Sequence, residues 1–223
     1  AYQDNVSLPS LTSVDEWVRL HGEGDLDLPS LETIGGDLDV DHANFFDTGA
    51  DYDLLPALQT VGGDISLRIN TSLYRSGTAL KSLTSCDNIY IYVAGDVSGR
   101  DYTGWENNLT LLSSLPTTNA LRLRLLSSTS SYDAYTRMNV DGFDALTDID
   151  GYLRLQTKTG VTVEMPALTT INGNLDLRVL RSRDGNRQTI EEFTGLSALE
   201  SIFGDLDLRG TDNIDITTNA LQS

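Results

Sequence analysis

The chain is short of most things that catalytic centres and membrane segments are built from. It holds one cysteine, Cys86, in 223 residues, which excludes an internal disulfide framework and a multi-cysteine metal site. Its two histidines, His21 and His42, each lie among acidic residues, and they belong to no H-E-x-x-H motif. C-x-x-C, G-x-S-x-G and Gly-rich lysine loops are missing as well. Zinc, nucleophile and phosphate-cradle chemistry have no motif to rest on, so no cofactor, no metal and no enzyme activity is expected. No apolar run approaches the ~20 residues needed to span a bilayer, so no membrane span is expected either. Positive charge is scarce, since 15 Lys and Arg against 33 Asp and Glu leave a formal net charge of -18. A field of that sign repels nucleic acid and anionic membrane surfaces alike. There is no initiator Met and no signal-like apolar segment, as expected of a processed chain or a piece of a longer one.

What the chain does have is repetition. Residues 31–40 read LETIGGDLDV, and closely similar phrases recur as LQTVGGDISL, LTTINGNLDL and LESIFGDLDL. Counted from its first apolar residue, the unit places apolar side chains at offsets 0, 3, 6, 10 and 12. Eight copies fit, starting at Leu8, Leu28, Leu55, Leu80, Leu109, Phe143, Met165 and Leu196. The Leu80 copy needs a one-residue deletion and the Leu109 copy a two-residue insertion. Offsets 10 to 12 alternate apolar and polar residues, which suits a strand with one buried face. Glycine at offsets 7 or 8 suggests a left-handed corner leading into that strand. The 0/3/6 spacing, often with Pro at offset 1, suits one tight turn rather than a helix. A single unit cannot bury its own apolar stripe, whereas stacked units pairing in parallel can.

The expected fold is therefore all-β: a right-handed parallel β-solenoid of about eight to nine coils, the hand favoured by parallel crossovers. Residues 1–223 form a single domain in this reading, with variable loops on one side, because the motif keeps its length while the intervals between copies do not. Cys86 occupies offset 6, where Ile34, Val61 and Ile171 stand in other copies, so it reads as a small core hydrophobe. The phrase L-x-x-L-x-x-I-x-G-x-L-x-I, carried by Leu31, Ile34, Gly36, Leu38 and Val40, resembles the receptor L-domain and its relatives among wall-anchored surface proteins. That resemblance implies an extracellular, non-catalytic solenoid.

Few constellations suggest chemistry. Asp176 and Asp207 occupy offset 11 of neighbouring coils, close enough for an acid pair or a calcium site. Arginines fill the same outward positions, and a neutralised charge ladder is the expected outcome. Asp39, Asp41, Asp47, Asp51 and Asp53 lack the residue order of a calcium loop and read as solvated acid. Tyr90, Tyr92, Tyr102 and Trp105 cluster around the fourth coil, with Tyr90 and Tyr92 expected on the outer sheet face. Asn5, Asn70 and Asn108 open N-x-S/T sequons, and Asn70 and Asn108 are expected in exposed loops.

The ends suggest a function. Asn219-Ala220-Leu221-Gln222-Ser223 matches the first half of a repeat, and Ala1-Tyr2-Gln3-Asp4-Asn5-Val6-Ser7-Leu8 resembles a second half. Joined across a junction, Ala220 and Leu221 with Ala1, Tyr2, Val6 and Leu8 would complete a split coil. The expectation is an extracellular or cell-surface structural protein that assembles with itself, head to tail, into a filament or coat. The alternative is an adhesion module recognising protein or glycan through loops at 92–108, 124–142 and 178–195.

Overall fold

A computed structural model describes residues 6–22, 26–42, 52–70, 77–96, 106–128, 137–157, 161–179 and 195–209. The described residues contain strands and turns and no helix. Each coil opens on the same tight turn, in which the amide at offset 3 donates to the carbonyl at offset 0. Leu11 donates to Leu8 at 3.1 Å, Leu58 to Leu55 at 3.1 Å and Leu168 to Met165 at 3.2 Å. The turn recurs in all eight coils.

Three strand segments follow one another around most coils, and in the fourth the second is reduced to a single bridge between Ser85 and Thr60. The longest begins at offset 9 or 10 and pairs in parallel into one eight-stranded sheet. Its members are Val18–Gly22, Leu38–His42, Ile65–Asn70, Asn88–Asp96, Ala120–Ser128, Leu153–Thr157, Leu175–Val179 and Leu206–Arg209, stacked in chain order. Register follows the repeat, with Leu38 opposite both Val18 and Ile65, and Leu175 opposite both Leu153 and Leu206. A two-residue strand at offsets 5 and 6 forms a second face, as in Thr33–Ile34 beside Ser13–Val14 and Thr60–Val61. A third face consists of strands that lead into the turn: Tyr52–Leu54, Gly77–Ala79, Glu106–Leu111, Arg137–Asp141 and Val161–Val163. This is the coil-on-coil arrangement of a parallel β-solenoid. Along the sequence, the segments of unequal length all fall between a long strand and the next turn.

The five apolar offsets face inward and form one continuous core. In the second coil Leu28, Leu31, Ile34, Leu38 and Val40 are all buried. At ~25 cal/mol per Å² of apolar area removed from water, these columns are the main favourable contribution to folding.

Three details differ from the sequence expectation. First, the fifth copy begins at Leu112, not Leu109. Leu112 donates its amide to Ala79 O as Leu80 does to Leu54 O, and Leu115 closes the turn at 3.0 Å. Offset 6 then falls on Thr118, whose buried hydroxyl donates to Asp87 O at 2.9 Å. Leu109 lies in the lead-in strand instead. Second, the left-handed corner is not at the motif glycines. Leu55, Leu80 and Leu112 carry it at offset 0, with φ of 52°, 54° and 58°. The glycines are required because coils approach closely there: a Cβ at Gly62 would run into the carbonyl oxygen of Gly35, and one at Gly35 into that of Asp15. Third, stretches read as long loops are partly strand. The fourth and fifth long strands run to Asp96 and Ser128, and the third-face strands resume at Glu106 and Arg137.

Candidate functional site

Successive side chains alternate across a strand, so the residues at offsets 11 and 13 of the eight-stranded sheet all project outward. This face carries Arg19, Arg68, Arg122, Arg124, Arg154, Arg178 and Arg209, which are seven of the chain's 15 basic residues. Only four aspartates share it: Asp39, Asp41, Asp176 and Asp207. Among the described residues, seven of the nine Lys and Arg belong to this one surface of a strongly acidic chain.

The two ends of this face are neutralised. Arg19 Nε lies 3.2 Å from Asp39, which also receives His21 at 3.4 Å, and Arg68 donates to Asp41 at 3.1 Å. At the other end Arg178 donates to Asp176 at 2.7 Å, and Arg209 lies 2.6 Å from Asp207. The middle is different. Tyr90, Arg122 and Arg154 stand side by side in one column, and Arg68, Tyr92 and Arg124 in the next. Arg122 stacks over Tyr90 at 4.9 Å, and Tyr92 is flanked by Arg124 at 5.4 Å and Arg68 at 5.6 Å. Among the described residues no carboxylate lies within ion-pairing distance of Arg122 or Arg124. Their Nε atoms are buried and have no hydrogen-bond partner.

The acid pair read from sequence is present in register, with Asp176 directly opposite Asp207. Each carboxylate is nonetheless held by arginine. Asp176 is buried between Arg154 at 2.8 Å and Arg178, rather than standing on an open face. The hydrogen bond from Arg209 is the main reason that Asp207 titrates below the ordinary carboxylate range, with the charges of Arg209, Arg178 and Arg154 adding to it. A carboxyl kept ionised in this way is a poor general acid.

Both outer strands of the sheet lack a neighbour on one side among the described residues. The columns that are closed inside the stack open there. Leu206 is 49% exposed and Leu208 43%, whereas Leu175 and Leu177 one coil inward are buried. Leu206 was expected to be buried like its equivalents, and its position in the last described coil is why it is not. Phe203 is 72% exposed beside them, and Leu8 is 48% exposed at the opposite end.

Other sequence candidates scatter. Asn70 is the last residue of a long strand and Asn108 lies inside a lead-in strand, so neither is in the loop expected for it. Asn5, Ala1, Tyr2, Ala220 and Leu221 lie outside the described residues, as do Tyr102, Trp105, Asp47 and Asp51. Val6 pairs with Leu26 and Ser7 with Asp27, so both belong to the lead-in strand of the first coil. Val6 and Leu8 therefore do not take the offset-10 and offset-12 places that the split coil would give them. Asp39 and Asp41 are occupied by arginine pairs. Burial is the chief cause that pushes the Cys86 thiol up to about 11, against a smaller opposing hydrogen bond with Thr118. Among the described residues no helix is long and apolar enough to cross a membrane.

No protein-family model matches the chain, and no curated protein or solved structure matches it significantly.

Proposed function

We propose that this protein is a non-catalytic, extracellular structural solenoid whose copies stack head to tail into a filament or surface coat. The observation that carries this reading is the contrast between Leu206 and Leu208 at the open edge and their buried equivalents one coil inward. Exposed apolar columns on an outer strand that has no neighbour among the described residues favour a further strand. The first coil of a second copy offers one in matching register. Continuing the sheet sets Leu206 beside Val18, Leu208 beside Leu20 and Asp207 beside Arg19. The last of these repeats the Arg19–Asp39 pairing found inside the stack. A head-to-tail contact of this kind does not close on itself and propagates. The three sequons and the inert, core-facing cysteine support an extracellular setting.

Sedimentation velocity with negative-stain microscopy tests the proposal over a rising concentration series. Filaments or a ladder of axial oligomers are expected, and Leu206→Lys should return the population to monomer while leaving the circular dichroism spectrum unchanged. Monomers throughout, or assembly indifferent to Leu206→Lys, would overturn it.

A further inference from the structure

The central arginines pose a problem that stacking does not address. Arg122 and Arg154 are directly opposite one another on adjacent parallel strands. Like charges in that arrangement are destabilising. A chain with 33 acidic residues has ample means to neutralise them, and does so for Arg154 through Asp176 and elsewhere on the same face. Beside Arg122 and Arg124 it supplies tyrosines instead. Stacking on Tyr90 and Tyr92 orients the guanidinium groups without neutralising them, leaving buried Nε donors unsatisfied. Local conflicts of this kind gather at functional sites.

We propose that this arginine–tyrosine patch binds an extended anionic glycan bearing carboxylate or sulfate groups, laid across the strands of the third to sixth coils. Guanidinium forks suit both groups because each accepts paired hydrogen bonds. Arginines already held by ring stacking lose little freedom on binding, which lowers the cost of association. Arg122 and Arg124 are flanked along the solenoid axis by Arg154 and Arg68, each already paired with an aspartate. A linear ligand running along that axis therefore meets four guanidinium groups, two of them without a carboxylate. The strands beneath are internal members of the sheet and have no free edge to which an extended peptide could add. Nucleic acid, with a charge about every 1.7 Å of duplex, would meet strong repulsion from the acidic remainder of the chain. A glycan charged once per sugar or two would meet less.

The test uses the full chain carrying Leu206→Lys, so that failure of stacking and failure of glycan binding are read separately. Binding is measured for a chondroitin sulfate oligosaccharide, an oligogalacturonate, a neutral dextran and a single-stranded oligonucleotide across a salt series. At least one anionic glycan should bind. Arg122→Gln with Arg124→Gln should weaken that binding about tenfold and lower the log–log salt slope by about two. Arg122→Lys with Arg124→Lys keeps the charge but loses the fork, and should fall between, which preserves the test if the glutamine variant folds poorly. Arg209→Gln, at the neutralised end of the face, should change affinity by less than twofold. The proposal fails if neither glycan binds, if the double variants bind as tightly as the parent, or if the oligonucleotide binds more tightly than both glycans.

Discussion

An aspartate in this chain has a different role at each coil position. At offset 9 it joins one coil to the next: Asp37 accepts the Asp64 amide at 2.9 Å, and Asp64 accepts the Asn88 side chain at 2.7 Å. At offset 11 its role depends on the neighbouring coil. Asp39 is a partly exposed partner of Arg19, whereas Asp176 is buried between two arginines. Asp39→Ala should cost no more than about 1 kcal/mol in a denaturant series, as for other surface pairs. Asp176→Ala leaves Arg154 and Arg178 without their carboxylate and should cost about 1–3 kcal/mol. Leu38→Ala, beside Asp39 but facing the core, should cost ~2–5 kcal/mol. Equal sensitivity at Leu38 and Asp39 would reject the inward–outward assignment. Cys86 should resist alkylation in the native state near neutral pH, because burial holds its thiol protonated up to about 11. Its folded value is raised above the ordinary 9.0, so the thiol's contribution to stability is complete below about 9 and disappears as pH rises through about 11. Alkaline unfolding should therefore begin at higher pH in Cys86→Ala, provided the lost packing is matched by comparison at neutral pH.

For individual elements, the legibility of the fold depended on whether a residue's role was visible from its own chemistry. The long strands were, because their apolar alternation has no other explanation. The fifth coil was misplaced by three residues because Leu109 and Leu112 both look like a start. The true offset-6 residue is Thr118, a polar side chain made tolerable by a carbonyl in the preceding coil. No local pattern reveals such a partner. The lead-in strands were missed for a related reason, since they are short and adjoin segments of variable length. The motif glycines were visible but misread, because the obstacle that excludes a side chain is the backbone of another coil. Gly62→Ala, with Gly35 O in the way, should lower stability by about 3 kcal/mol, a cost that strain or overpacking can reach. Gly36→Ala meets a less severe contact and should cost less. Thermal denaturation of the two variants side by side gives the ranking. The arginine–tyrosine patch was only half legible: arginines and tyrosines are visible at outward positions, but that Arg122 and Arg124 stay unneutralised depends on which coils adjoin.

Across the whole molecule, strand pairing among the described residues joins each coil to its immediate neighbours. If copies stack, the midpoint of thermal unfolding should rise with protein concentration, because assembly draws on the folded state alone. Leu206→Lys should abolish that dependence. Amide exchange should be slowest in the strands Asn88–Asp96 and Ala120–Ser128, which have three coils on one side and four on the other, and fastest in the two outer strands. Uniform protection from one end to the other would contradict nearest-neighbour stabilisation.

The repeated turn at offsets 0 to 3 also bears on how such a chain could change its length over generations. Thr118, Ile149 and Ile171 stand in one column, and Leu121, Leu153 and Leu175 in another. Excising Phe143 through Glu164 would join Gly142 to Met165, remove one whole storey, and bring Leu121 against Leu175 with the pairing register preserved. Removing half as many residues would rotate every later side chain away from its column. Within the turn and the strands of the repeat, insertion and loss are therefore tolerable only in whole coils, while the segments between a long strand and the next turn vary in length. The heritable unit of the stacked core is the storey rather than the residue.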